Sequence, residues 1–158
     1  MAFHRVRDRQ LMIPTLDDLR ARFAPEELAE ISDATGSADG RGRDALTWVI
    51  GWITHVDKLD RDRALPLTDH SIWTEHDLVG ALFIRDFAAR ALSSLPSHIT
   101  ERIAEDLAGA DERFRGFTVD DSGVLVTRIA EVPTPGRGWW WYRIPIDGPV
   151  AALLAEYR

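Results

Sequence analysis

Cysteine is absent from all 158 residues. That absence excludes a disulfide framework, a thiolate nucleophile and any cysteine-ligated zinc or iron–sulfur centre, and it suits a reducing compartment. Lysine is nearly absent too: Lys58 is the only one, so arginine supplies the rest of the positive charge. Long apolar runs are missing, because Arg85, Asp86 and Arg90 interrupt the most hydrophobic helical stretch before it is long enough to span a bilayer. From Met1 to Pro14, charges break each apolar stretch before a secretory core forms. Together these features predict a cytoplasmic protein without membrane association. An excess of positive charge is also lacking. The formal net charge of -7 argues against general nucleic-acid binding, whose sequence-independent affinity comes from accumulated cations.

The familiar catalytic signatures are missing as well. There is no G-x-S-x-G elbow and no serine at an interpretable spacing from a histidine and an acid. Gly36, Gly40 and Gly42 match neither the Walker pattern nor the dinucleotide fingerprint and read as hinge glycines. His55 and Asp57, two apart on a helix, project about 200° from each other and cannot chelate one ion. His70 and His76, with Asp69 or Glu75, form a histidine–carboxylate set of the kind that suits a first-row metal. They lack an HExxH or comparable pattern, and Glu75 and Asp77 already have a role beside a helix N-terminus. No cofactor and no metal is therefore assigned.

What is present is enough for one domain spanning residues 1–158, since a chain of this length buries about 70% of its extended surface. Residues 1–13 read as a loosely ordered arm, with Arg5, Arg7 and Arg9 diluted by Asp8, and residues 36–43 as a flexible loop. The spacing predicts helices starting at Thr15 and Pro25, the second ending at Gly36, and another from Asp44 to about Leu59. On that helix Leu46, Trp48, Val49, Ile50, Trp52, Ile53, Val56 and Leu59 share one broad arc. Thr74 with Asp77 predicts a capping box for a helix that is apolar nearly all round, and hence central. After the break at Pro96, Ile99, Ile103, Leu107, Ala110 and Phe114 give a one-sided stripe. Beyond Gly116 the pattern turns to strands at 117–119, 124–132 and 139–146, followed by a short helix behind Asp147-Gly148-Pro149. The expected class is α+β: five or six helices, an antiparallel meander of three or more strands in the C-terminal third, and a C-terminal helix.

Two patterns carry candidate function. The run Trp139-Trp140-Trp141-Tyr142-Arg143-Ile144-Pro145-Ile146 holds half of the six tryptophans. As a strand it sends Trp140, Tyr142, Ile144 and Ile146 to a core face and Trp139, Trp141 and Arg143 to the other. With Arg137 from the preceding turn, that outer set has the aromatic–arginine composition of an interface hot spot. It predicts a non-enzymatic binding module that recognises a protein partner, basic by complementarity to the net charge, or a second copy of the chain. The alternative is a small-molecule-binding protein or enzyme with a pocket between helices and sheet, using His70 and His76 or Arg85, Asp86 and Arg90. In that alternative Asp86 and Arg90, at i and i+4, either form a structural ion pair or one arginine reaches a cleft and holds an anion.

Overall fold

A computed structural model describes residues 13–36, 42–122, 124–133 and 135–158. The arm expected over 1–13 lies outside the described residues except for Ile13, as do positions 37–41 of the loop expected at 36–43.

The helix starts follow the capping chemistry. Thr15 and Asp18 exchange side-chain-to-backbone hydrogen bonds of 2.9 and 3.1 Å at the start of α1 (Leu16–Arg20). Pro25 opens α2 (Pro25–Thr35), where the Ala24 N–H donates to the Glu27 carboxylate at 3.0 Å. Asp44 caps α3 (Ala45–Asp62) by accepting from the Leu46 and Thr47 N–H groups. Thr74 and Asp77 form the expected box on α4 (Glu75–Ser93). The one-sided stripe is divided between α5 (Ser97–Thr100) and α6 (Ala104–Gly116), with Ile99, Ile103 and Phe114 fully buried.

The most central helix is α3 rather than α4. It packs against α1, α2, α4 and α6, and its buried row runs Ala45, Leu46, Val49, Trp52, Ile53, Val56 and Leu59. Helix α4 buries Leu78, Ala81, Leu82, Ala88 and Ala91 but turns Phe87 to solvent at 37% exposure. The sole lysine closes the α3–α4 connection: Lys58 Nζ donates to Asp62 and to the Ser71 carbonyl, while Asp62 also accepts the Trp73 N–H at 2.7 Å. The buried Asp62 carboxylate is thereby satisfied on both oxygens.

The C-terminal third departs from the expected meander. Strand β1 (Thr118–Asp120) pairs antiparallel with β2 (Arg143–Pro145), Val119 facing Ile144, and no third strand occurs among the described residues. The segment expected as the middle strand is a helix, α7 (Leu125–Ala130). Its branched residues favour a strand, but Leu125, Val126 and Thr127 are buried consecutively, which two-fold alternation cannot do against one core. Asp121 starts the helix by accepting the Val126 N–H at 3.0 Å. Glu131 ends it in the left-handed region at φ 55, as the Val132 N–H returns to the Thr127 carbonyl at 3.1 Å in a Schellman arrangement.

The aromatic run is a 3₁₀ turn, Trp139–Tyr142, before it becomes β2, and α8 (Gly148–Ala155) follows as expected. Three residues per turn spread neighbouring side chains about 120° apart, so three adjacent indoles take three directions where a strand offers two. Gly138 makes the turn possible: a Cβ there would lie 2.3 Å from the Trp140 ring. Gly138→Ala is expected to destabilise the protein by about 1–3 kcal/mol through forced displacement of that indole. Thermal denaturation followed by circular dichroism should show a Tm several degrees lower, and an unchanged Tm would mean that the ring does not pack on the glycine.

Candidate functional site

Helix α4 places Arg85 and Asp86 side by side, and the core uses them in two different ways. Arg85 is buried and binds Asp111 of α6 through two parallel hydrogen bonds, both 2.9 Å. The Asp111 Oδ1 also accepts the Trp52 indole N–H at 2.8 Å, and the Arg85 guanidinium lies 4.2 Å from the centre of the Trp140 ring. Each charge is thus both paired and hydrogen-bonded, the condition under which buried ions are tolerated.

Asp86 collects the aromatic run. One oxygen, Oδ1, accepts the indole N–H groups of both Trp140 and Trp141 at 2.9 Å. Sequence neighbours on a strand point to opposite faces and cannot share an acceptor; the 3₁₀ turn is what lets them do so. The other oxygen faces Arg137 at 3.6 Å, while Arg137 Nε donates to the Pro133 carbonyl at 3.0 Å. The i, i+4 pair expected between Asp86 and Arg90 does not form, because the acid turns toward the indoles.

The outward face expected of Trp139, Trp141 and Arg143 does not form either. Trp141 is fully buried with its edge against Phe83, ring centres 5.0 Å apart. Trp139 is half-buried near Phe114 and lies under the Arg115 guanidinium at 3.7 Å. Arg143 is spent internally, donating to the Thr118 hydroxyl at 2.8 Å and the Thr118 carbonyl at 2.7 Å. The expected core set also divides, since Trp140 and Ile144 are buried whereas Ile146 is exposed. The first correction comes from the replacement of two-fold alternation by a three-fold turn over residues 139–142, whereas Ile146 lies past the end of β2.

Of the expected binding residues, Arg137 alone reaches an open site. It lines a cleft of about 580 Å³ between α4 and the Pro133–Gly138 turn, together with Asp86, Ala89, Arg90 and Trp140. From the cleft a strip continues along α4 and α3, in which Arg43, Phe87 and Arg90 are exposed and Trp48 is half-buried. Arg90 lies over Phe87 at 5.8 Å, Phe87 stacks on Trp48 with ring centres 4.7 Å apart, and Arg43 lies over Trp48 at 5.9 Å. Among the described residues no acid lies within ion-pair distance of Arg43 or Arg90. By contrast Arg22, Arg61, Arg63, Arg102 and Arg113 all hold carboxylates. The helical wheel places Trp48 on the apolar arc, where it does pack against the core, but hides Phe87 in an all-round apolar helix. The signal that finds this strip is Arg90 three residues beyond Phe87, on the same helical face.

The histidines lie elsewhere. His70 and His76 are exposed, and His76 Nε2 faces Glu75 at 3.4 Å. Among the described residues, no group of three or more His, Cys, Asp or Glu side chains is placed to hold a metal ion. His55 is half-buried on Trp73 with ring centres 4.8 Å apart and its Nδ1 2.6 Å from the Gly51 carbonyl. Burial holds the His55 imidazole below its ordinary value, against the opposing pull of the Gly51 carbonyl and the Asp77 charge. The native state therefore resists a proton that the unfolded chain accepts. Its contribution to stability is fully present above about pH 6.5 and is lost as pH falls through the lower native value. Wild type should lose stability relative to His55→Gln between neutral pH and about pH 5, and the His55 ring should titrate below about 6.5 by NMR. A midpoint at or above that value would contradict the burial.

No helix among the described residues is long and apolar enough to cross a membrane. No family model matches the chain, and neither a curated protein nor a solved structure resembles it significantly.

Proposed function

We propose that this chain is a non-enzymatic cytoplasmic binding module, whose recognition surface is the Arg43–Trp48–Phe87–Arg90 strip together with the adjoining cleft that holds Arg137. One observation carries the proposal: the exposed Phe87 ring, in contact with the half-buried Trp48, is bracketed by two arginines that have no acid within ion-pair distance among the described residues. Aromatic side chains and arginine are the residue types in which binding energy concentrates at protein interfaces. Their rigid ring surfaces and forked donors lose little conformational freedom on contact. The proposal keeps the aromatic–arginine recognition expected of the Trp139–Arg143 run and moves it to α3, α4 and the neighbouring turn.

A photo-crosslinking amino acid at position 87 should yield a discrete protein adduct in the native cell, lost when Arg90→Glu is added. The same probe at the exposed Glu30 position of α2 serves as the control. Equal adducts from both positions, or none from position 87, would remove the proposal.

The cleft also supports a second reading, in which a small organic anion is held between Arg90 and Arg137. Its volume of about 580 Å³ falls within the range of ligand pockets. A thermal shift with dicarboxylates that vanishes in Arg137→Gln would favour it over a protein partner.

A further inference from the structure

We infer that the segment of partner protein seated on this surface is acidic: a peptide whose apolar side chain covers Phe87 and Trp48 and whose carboxylates meet Arg90 and Arg137. The inference rests on the binding-module proposal and adds the chemistry of the occupant.

Charge complementarity is the argument. The chain as a whole carries -7 and on total charge suits a basic partner. Attraction at contact is set by the charges within a Debye length, about 8 Å at physiological salt. Along this strip the charged ends are Arg43 and Arg90, each held over a ring and neither neutralised by a carboxylate among the described residues. A basic segment laid there would meet like charges at both ends, and a purely apolar one would cover two guanidiniums without pairing them, which is costly.

The cleft adds a replaceable contact. Arg137 Nε is engaged by the Pro133 carbonyl at 3.0 Å, which fixes the guanidinium plane. Its approach to Asp86 at 3.6 Å is too long for a good charge-assisted hydrogen bond. Asp86 does not depend on that contact, because Oδ1 already accepts two indole N–H groups. An incoming carboxylate can therefore take the outer nitrogens of Arg137 in forked geometry and leave the Asp86–indole anchor intact. Arg90, on the same wall of the cleft, supplies a second guanidinium for an adjacent acid.

The test is a peptide array in which Asp or Glu alternates with a Leu, Phe or Trp, printed beside lysine counterparts of the same apolar pattern and probed with the full-length chain. Hits are then measured in solution by fluorescence anisotropy. The expected result is binding of acidic peptides that weakens with added salt and falls at least about tenfold in Arg90→Gln/Arg137→Gln, with the melting curve of that variant near wild type. Both residues are solvent-accessible, Arg90 has no ion pair among the described residues, and the Arg137–Asp86 contact is long at 3.6 Å, so the neutral variant should fold.

If the lysine peptides bind as well and Phe87→Ser abolishes both, the surface stands and the acidic occupant is wrong. If free glutarate matches the peptides in affinity, the cleft is a small-anion site and the peptide inference fails. A wild-type dimer in light scattering that Phe87→Ser converts to monomer would make the occupant a second copy. Absence of any array binding, with no effect of Arg90→Glu on the adduct formed from position 87, would overturn both the inference and the binding surface beneath it.

Discussion

Replacing Asp111 with alanine is expected to lower the stability of the protein by about 3–5 kcal/mol. A domain of this size commonly has only about 5–15 kcal/mol in hand, so the variant should be marginal or unfolded at physiological temperature. Arg85 and Asp111 are 7% and 8% exposed, and the acid holds both the guanidinium and the Trp52 indole N–H. Truncation leaves a buried cation without a counter-charge and an indole without an acceptor, and the dry surroundings make each loss larger than at a surface. Asp111→Asn should fall between, since its amide oxygen still serves an indole or a guanidinium but brings no charge. Removing both partners, as in Arg85→Met/Asp111→Leu, should recover much of the loss, because an apolar pair of similar volume strands no charge. Urea denaturation across the double-mutant cycle measures the coupling. If Asp111→Ala loses less than about 1 kcal/mol, water reaches Arg85 and the pair is not the core element described here.

The second large effect is expected at Asp86. Asp86→Ala deprives two indoles of their common acceptor, each loss being worth about 1–3 kcal/mol, for a combined destabilisation of about 2–4 kcal/mol. The 3₁₀ turn exists because Trp140 and Trp141 converge on that oxygen, so the loss should appear in structure as well as in stability. Near-ultraviolet circular dichroism and tryptophan emission should both change, and β2, which begins at the next residue, Arg143, should lose hydrogen-exchange protection. Asp86→Asn, which retains an acceptor oxygen, should be clearly milder. Arg137→Gln should change stability by no more than about 1 kcal/mol, since its contact with Asp86 is long and partly solvated. An Asp86→Ala variant with wild-type spectra and Tm would mean that the indole hydrogen bonds are readily replaced by water.

Much of the helical half is legible in the chain. Thr15 with Asp18, Pro25, Asp44, and Thr74 with Asp77 mark helix starts where the backbone bends, because capping is local chemistry that needs no distant partner. The 99–114 stripe is legible for the same reason, its periodicity matching one buried face. The helix at Leu125–Ala130 is not. Leu-Val-Thr-Arg-Ile carries strand propensity, and the Asp121 carboxylate and three consecutive buried positions override it. The candidate site is legible only in fragments. Arg137 belongs to it, while Trp139, Trp141 and Arg143 answer to Phe114, Phe83 and Thr118, residues more than twenty positions away.

The sequence by itself determined the helix starts at Thr15, Pro25, Asp44 and Thr74, the α+β class, the absence of thiol chemistry and the acidic net charge, because each depends on composition or on residues within a few positions of one another. Tertiary structure decided the number of strands, the shape of the tryptophan run and which aromatics face solvent. The deciding contacts there are long-range. A partly buried carboxylate at position 86 needs donors, two indoles more than fifty residues later supply them, and the 3₁₀ turn lets both reach one oxygen. With Trp140 and Trp141 serving that acid, Phe87 is left at the surface beside the half-buried Trp48, next to arginines that have no acid within ion-pair distance among the described residues.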